Sequence, residues 1–367
     1  MGPLAGLNKE IRRLKLAVNS DCQLRCDYCF IDKELDEVLP ADCAEKAIDL
    51  ALRSPGRSKR LLIYGGEPLL HFAVVERAVL HARASARALG KRLSIAVATN
   101  AATAHRGRLE FLRDQGCQLA VSVDGAGSAH DRFRRYRDGR GSFETLRRNL
   151  RLILEVMPKK SLAALVGVHP AQAGRFRANF EDVAGLGFEN FNIEVIHGVP
   201  WSARQLARFD AETGRVFDLV LESIASDRPL FVESTYRELR GEREEGETPL
   251  CPFLSCLETY PRGEYAFFPF PFLGSLAERK KVSIGGAREG LSPRYRDCVY
   301  APESALCRGC AGSYYGAAPA FDGGAAMRVR GDRSARFVRE FSRRFGGTAR
   351  GARYVAEAGE REELGFA

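Results

Sequence analysis

Between residues 14 and 197 the chain alternates six short apolar runs with longer amphipathic ones. The runs are Leu14–Val18, Arg60–Tyr64, Leu93–Thr99, Leu119–Val123, Leu162–Val168 and Phe191–Ile196. Short, nearly continuous apolar runs read as parallel strands buried on both faces. The segments 41–54, 71–89, 106–116, 142–155 and 172–186 between them carry helical periodicity. This alternation predicts an α/β fold with a parallel sheet, curved or barrel-like. Spacing alone does not separate an open doubly wound sheet from a partial barrel. In both, function collects on the loops after the C-terminal ends of the strands.

After Pro200 the pattern changes. Residues 202–226 read as one long helix, and REREEGETP as a charged connector. Residues 251–316 are rich in Cys, Pro, Gly and aromatics, a composition suited to a small loop-rich unit held by metal. Within it LETYPRGEYAFF reads as a hairpin turning at Arg262-Gly263. A terminal helix is expected over 332–345, with a mobile Gly-rich tail after Phe345. The expected division is a core at 1–200, a helical bridge at 201–250, the Cys-rich unit at 251–316, and a C-terminal helix and tail at 317–367.

With 45% hydrophobic and 28% charged residues the chain reads as soluble and globular, not disordered. No run approaches the roughly 18 apolar residues of a membrane span. The N-terminus lacks the apolar core and cleavage site of a signal peptide, so a cytoplasmic location is expected and no membrane partner. The net charge of +9 is mostly arginine spread through helical segments, which reads as solvated helix faces with a modest preference for anionic partners. No stretch joins clustered bases to exposed aromatics, so no nucleic-acid partner is expected.

Ten cysteines are many for that location, where grouped cysteines point to metal or redox chemistry. Cys22, Cys26 and Cys29 form one group, and Cys251, Cys256, Cys298, Cys307 and Cys310 another. Cys43 and Cys117 stand alone in apolar contexts and read as small buried hydrophobes. The first group has C-x3-C-x2-C spacing directly after the first strand. Three thiolates on one tight loop can ligate three corners of an iron–sulfur cubane and leave one iron open. Zinc is the alternative that such spacings also serve.

Further motifs sit at other strand ends. Tyr64-Gly65-Gly66-Glu67-Pro68 follows the second strand. Paired glycines let backbone approach a ligand, and Glu67 with exposed carbonyls suits an ammonium group. Thr99-Asn100 ends the third strand. Ser122-Val123-Asp124-Gly125 ends the fourth and offers two oxygens, although a plain strand-end turn has the same composition. Then come His130-Asp131-Arg132-Phe133-Arg134 and Gly139, Gly141-Ser142-Phe143. A guanidinium there suits a carboxylate, and an exposed basic loop is the alternative.

Taken together, the cysteine loop with Tyr28 and Phe30, the Gly65–Pro68 turn one βα unit later, and HDxxR…GxGSF resemble radical S-adenosylmethionine (SAM) enzymes. The resemblance is to those with C-terminal cluster domains, which include anaerobic sulfatase maturases and peptide maturases. It implies a partial (βα)6 TIM-like barrel with a small Cys-rich C-terminal domain. It further implies a 4Fe–4S cluster on Cys22, Cys26 and Cys29 whose open iron chelates SAM. On the same basis Tyr28 lies beside the adenine, and Gly65, Gly66 and Glu67 receive the amino group. Asn100 belongs to the third strand-end loop, Ser122 and Asp124 face the ribose, and Arg134 meets the carboxylate. The family often has glycine after Thr-Asn, where this chain has Ala101.

The tail resembles a SPASM or shorter twitch extension, which carries auxiliary 4Fe–4S clusters. The full pattern has more cysteines, and Phe268 and Pro269 stand where one is expected. One auxiliary cluster is implied, on Cys256, Cys298, Cys307 and Cys310 with Cys251 as a replacement, and structural zinc stays open as the rival. The implied activity is a 5′-deoxyadenosyl radical that takes hydrogen from a peptide or protein side chain, with net oxidation. Alternatives are formylglycine formation on a sulfatase and oxidation of a small carbohydrate. A flavodoxin or ferredoxin would supply electrons. Only about twenty residues precede the cluster, so leader recognition is expected from the barrel, from 202–250 or from a separate partner. No catalytic acid or base is identifiable.

Overall fold

The computed structural model describes residues 10–196, 198–226, 228–239, 256–266, 283–292 and 324–363. Six parallel strands form its centre: β1 (Arg13–Ala17), β2 (Ser58–Tyr64), β3 (Arg92–Thr99), β4 (Gln118–Ser122), β5 (Leu162–Val168) and β6 (Asn190–Val195). Each lies within two residues of its expected position. The helices between them are α1 (Ala41–Arg53), α2 (Phe72–Ala88), α3 (Arg106–Asp114), the short α4 (Ser128–Asp131), α5 (Phe143–Val156) and α6 (Phe176–Gly185). The result is the α/β architecture expected, a curved parallel sheet of six βα units with a smaller C-terminal part.

The strands are more two-faced than a uniformly apolar reading allows. On β1 and β2, Leu14, Leu16, Leu61 and Ile63 are buried in the main core, where they meet the helices. α1 presents Cys43, Ala44, Ala47, Ile48 and Ala51 to that core at helical spacing, and Cys117 is buried there too. The other face is lined by small side chains: Ala98, Ala120 and Ala163 cluster with Leu165 apart from the main core. Small residues on this inner face leave room inside the curve of the sheet, below the strand ends.

Beyond β6 come α7 (Ala203–Ala225), β7 (Phe231–Val232) and α8 (Tyr236–Leu239). Ser202 and Gln205 close a reciprocal cap at the start of α7. The segment β8 (Cys256–Thr259) returns to pair in parallel with the free edge of β1. It runs through the expected turn into β9 (Glu264–Ala266), and Gly263, with φ of 87°, supplies the left-handed turn residue. Next are β10 (Gly285–Gly286) and β11 (Gly290–Leu291), so eleven described strands form one sheet, β11-β10-β9-β8-β1-β2-β3-β4-β5-β6-β7.

Two C-terminal helices close the chain, α9 (Gly324–Phe345) and α10 (Ala349–Glu363). The stretch after Phe345 is therefore not a tail. Its Ala, Arg and Glu content favours helix, and the glycines at 346 and 347 only mark the break. Tyr354 stacks on Phe231 with centroids 4.7 Å apart and donates to the Leu230 carbonyl at 2.9 Å. Arg361 donates to Asn190 Oδ1 at 2.6 Å. α10 thus covers the β7 edge, which would otherwise expose unpaired backbone. No described helix is long and apolar enough to cross a membrane.

Candidate active site

The loop carrying Cys22, Cys26 and Cys29 leaves β1 and is gripped from two sides. On one side Gly66 N donates to the Asn19 carbonyl at 2.8 Å and Glu67 N to the Asp21 carbonyl at 2.7 Å. A Cβ on Gly66 would collide with the Asp21 carbonyl, and Gly65 is pressed against Asn19 with φ of 147°. The paired glycines are required for contact with the cysteine loop. On the other side Arg25 N donates to the Arg135 carbonyl at 2.7 Å and Asp27 N to the Phe133 carbonyl at 3.0 Å. The arginine-rich turn after α4 therefore lies along the cysteine loop through its backbone, while the Arg135, Arg137 and Arg140 side chains stay exposed.

Glu67 is fully buried. Its carboxylate accepts from Thr99 Oγ1 at 2.8 Å, Leu69 N at 3.0 Å and Asn100 N at 2.8 Å. Burial pushes it up to about 7, and those three donors hold it back. The side chain ties the end of β2 to the end of β3. Asn100 then reaches the cysteine loop: its Oδ1 accepts from Gln23 at 2.8 Å and its Nδ2 points at Cys22 Sγ, 3.4 Å away. Leu24 N approaches the same sulfur at 3.4 Å. Ala101 adopts φ of 60°, the left-handed conformation that a glycine would take freely.

At the end of β4, Asp124 is 1% exposed and is held by three donors. Arg134 Nε reaches Oδ2 at 2.9 Å, the Tyr28 hydroxyl donates to the same oxygen, and Gly167 N donates to Oδ1 at 3.0 Å. A Cβ on Gly167 would press on both Asp124 and Tyr28, so the glycine makes the arrangement possible. The Arg134 guanidinium also lies over the Tyr28 ring, 5.3 Å from its centroid. Burial first, and then the neighbouring Asp124 charge, push the Tyr28 phenol well above its ordinary value, so it stays a donor. Ser122 sits half-buried at the inner face of the same strand end.

The rest of HDxxR…GxGSF is a lock for this pair. Asp124 N donates to His130 Nδ1 at 3.4 Å, so Nε2 carries the proton. That nitrogen lies 3.1 Å from Ser142 Oγ, which donates to the Arg134 carbonyl at 2.8 Å. Asp131 accepts from Phe143 N at 2.8 Å and caps α5, and Gly141 leaves it the space.

Burial, reinforced by the Arg134 charge, pushes the His130 imidazole down to about 4 from an ordinary 6.5. Between those values the unfolded chain binds more protons than the folded one. Stability from this group is complete above 6.5 and is lost as pH falls towards 4, at up to about 1.4 kcal/mol per pH unit. Denaturant midpoints taken across that window should fall more steeply for the parent than for a His130→Gln variant. Identical slopes in the two would show that His130 is not the titrating group.

Two features were not singled out from the sequence. His169, directly after β5, stacks on Phe133 with centroids 4.1 Å apart, and Tyr28 completes an aromatic cluster at the strand ends. Position after a strand end was the available signal, but a single His there is common. Below the cysteine loop, Lys15 pairs with Glu258 at 2.9 Å, and Glu258 also accepts from Tyr64 at 3.1 Å and Tyr260 at 2.5 Å. Tyr260 and Ala17 pack with Cys29 and Tyr64 in a separate cluster, which places this network on the inner face of the sheet.

Among the described residues no three His, Cys, Asp or Glu side chains gather as around a single metal ion. A cubane makes a different demand, because each thiolate binds its own iron. The donor set fits that demand: three thiols on one braced loop, with two N–H groups aimed at Cys22 Sγ. Burial pushes the Cys22 thiol up to about 12 and raises Cys26, whose shift the Arg134 charge opposes. Such thiols stay neutral unless a metal charge replaces the proton. Cys256 lies at the start of β8, in register with Arg13. Cys251, Cys298, Cys307 and Cys310 lie outside the described residues.

Comparison with known proteins agrees with this geometry. The chain is 22% identical over 152 residues to a cysteine-type anaerobic sulfatase-maturating enzyme of Clostridium novyi, covering 40% of this chain and 41% of that one. It spans less than half the length of the curated relatives it matches. Among solved structures it is similar to anSMEcpe with bound AdoMet and Kp18Cys peptide, with a TM-score of 0.67 at 14% identity, over 95% of this chain and 99% of that one. It is also similar to SuiB of Streptococcus suis bound to precursor peptide SuiA, with a TM-score of 0.54 at 14% identity, over 84% of this chain and 71% of that one. At these identities the likeness establishes the fold, through the C-terminal part as well as the sheet. Residues 17–181, the span that holds the cysteine loop and each strand end through β5, match the family described as the radical SAM superfamily.

Proposed function

We propose that this chain is a radical SAM enzyme that oxidises a side chain of a peptide or protein. The observation that carries it is the cysteine loop held between the Gly65–Pro68 turn and the Arg132–Gly141 turn, at the C-terminal ends of the parallel strands. Cys22, Cys26 and Cys29 would hold three irons of a 4Fe–4S cluster. When bound, the cluster and SAM supply a 5′-deoxyadenosyl radical, chemistry that belongs to the cofactor and not to the protein.

The protein's share is positioning. Asn100 and Leu24 N aim N–H groups at Cys22 and stabilise its thiolate. Glu67 fixes the β2 and β3 ends, which with Gly65 and Gly66 would receive the SAM amino group. Tyr28, Phe133 and His169 offer aromatic faces to an adenine. Ser122 would offer an oxygen to the ribose, whereas Asp124 acts through the Tyr28 and Arg134 it holds. The small inner face leaves room for a side chain, and the Lys15–Glu258 network closes that space below Cys29.

The substrate class is supported by relatives and folds whose names include sulfatase maturation and bound peptides. An auxiliary 4Fe–4S cluster on Cys256, Cys298, Cys307 and Cys310, with Cys251 as a replacement, would accept the electron released on oxidation. Cys256 faces Arg13, some four residues and about 13 Å of strand from the start of the cysteine loop, so the two sites would occupy opposite ends of β1. A flavodoxin or ferredoxin is the proposed reductant. The test incubates reduced enzyme and SAM with peptides encoded beside its gene and reads their masses. A SAM-dependent loss of about two hydrogens is expected. Unchanged peptides alongside turnover of a small sugar would overturn the substrate class.

A further inference from the structure

The turn that runs along the cysteine loop carries unbalanced charge. From Arg132 to Arg151 the chain has eight arginines against two carboxylates, Asp138 and Glu144, so the stretch cannot neutralise itself. Three of the arginines are paired within the molecule: Arg134 with Asp124 at 2.9 Å, Arg140 with Asp138 at 2.7 Å and Arg147 with Glu144 at 2.8 Å. Arg132, Arg135, Arg137, Arg148 and Arg151 are exposed and make no ion pair among the described residues. Arg135 donates to the Asp131 and Arg132 carbonyls, which fixes its guanidinium without cancelling its charge. Most carboxylates nearby are committed elsewhere. Asp131 accepts from Phe143 N at 2.8 Å, Asp32 from Glu34 N at 3.0 Å, and Glu34 lies 3.9 Å from Arg25. Asp27 is the exposed exception.

This charge borders the part of the site that an electron must reach. The buried Leu24 bridges to Tyr136, and Arg135 and Arg137, on either side of Tyr136, are exposed. Cys26 and Cys29 are half-buried, so no thick layer of protein separates the loop from solvent. We infer that the exposed arginine face of the 132–140 turn docks a small acidic electron-carrier protein, which gives up one electron as the cluster takes one. Uncompensated cations speed the encounter with an acidic partner and orient it, and redox encounters need only a small interface. The turn exposes charge and no large apolar side chain, which suits a contact that forms and parts quickly. Nucleic acid is disfavoured, because Phe133 is stacked on His169 and the Tyr136 ring is covered by Arg140, leaving the turn no free aromatic face for a base. The inference rests on the proposed radical chemistry for its need of a reductant.

The test uses the full chain, reconstituted with iron and sulfide, and an acidic flavodoxin. Calorimetric titration with the oxidised flavodoxin, without SAM, should show binding that weakens with added salt, since screening shortens such attraction to about 10 Å at 0.1 M. Arg135→Glu with Arg137→Glu should weaken it at least about tenfold, and should slow SAM cleavage driven by sub-saturating reduced flavodoxin to the same degree. Cleavage driven by dithionite, and the thermal midpoint, should stay unchanged. Arg137→Glu alone removes no contact among the described residues, and it should shift binding the same way by less. Unaltered flavodoxin affinity in both variants, or an equal loss of flavodoxin-driven and dithionite-driven cleavage, would overturn the inference. Displacement of the flavodoxin by a peptide encoded beside the gene, or by single-stranded RNA, would give the face to that partner and overturn it too. The titration reads docking without turnover. Intact, salt-sensitive docking in an enzyme that dithionite cannot drive to 5′-deoxyadenosine would therefore reject the radical SAM reading alone, and dithionite-driven cleavage without docking would reject the arginine face alone.

Discussion

The Cys22→Ala/Cys26→Ala/Cys29→Ala variant, reconstituted with iron and sulfide and reduced with dithionite, is expected to form no 5′-deoxyadenosine from SAM. The loss should be complete because no other described thiol is near enough to substitute: Cys43 and Cys117 are buried in the helix-side core, and Cys256 lies at the far end of β1. The fold should survive the change. The loop is held by backbone bonds from Gly66, Glu67, Arg25 and Asp27, none of which uses a sulfur. The variant should still hold about four irons if the C-terminal cysteines bind an auxiliary cubane. An iron-free, zinc-loaded variant would replace that cluster by structural zinc while leaving the first assignment intact. Continued 5′-deoxyadenosine formation would remove the first assignment.

Much of this site could be read before any coordinates because its parts are local in sequence. The six strands announced themselves by apolar runs, and each motif sits directly after a strand, so parallel packing gathers them at one edge without further information. What could not be read is long-range. That β8 returns to β1 depends on pairing between residues some 240 positions apart, and neither segment encodes its partner. Glu67 read as a ligand for an ammonium group because Gly-Gly-Glu-Pro suggests an open turn. Its true neighbours, Thr99 and Asn100, are set by the β2–β3 register. Ala101 broke the expected glycine pattern, yet the backbone there keeps the conformation a glycine would have, held by the Thr99 and Asn149 side chains. α10 was misread because glycine frequency outweighed its alanines, and its stability comes from Phe231 and Asn190, far upstream. Local propensity gives way to tertiary contact in each case.

Arg134→Met should destabilise the protein by about 3 kcal/mol, the lower end for breaking a buried ion pair, because Tyr28 and Gly167 N still solvate Asp124. For a chain of this size, at about 2.1 cal/mol/K of unfolding entropy per residue, the thermal midpoint should drop by roughly 4 °C. The penalty is the charge left behind on Asp124, so removing that charge should cancel most of it. Asp124→Asn with Arg134→Met keeps an acceptor for Gly167 N and offers an amide to the Tyr28 oxygen, and its midpoint should return most of the way to the parent's. A single variant within about 1 °C of the parent, or a double variant no better than the single, would show that the pair does not hold the site together. Rates then separate two roles for Arg134. If it acts only by fixing Asp124 and Tyr28, the double variant regains SAM cleavage along with its stability. If it also meets the SAM carboxylate, stability returns and cleavage stays low at sub-saturating SAM, with the loss in KM. The geometry favours the first outcome at Nε, which Asp124 occupies, and leaves the terminal nitrogens of the guanidinium for the second.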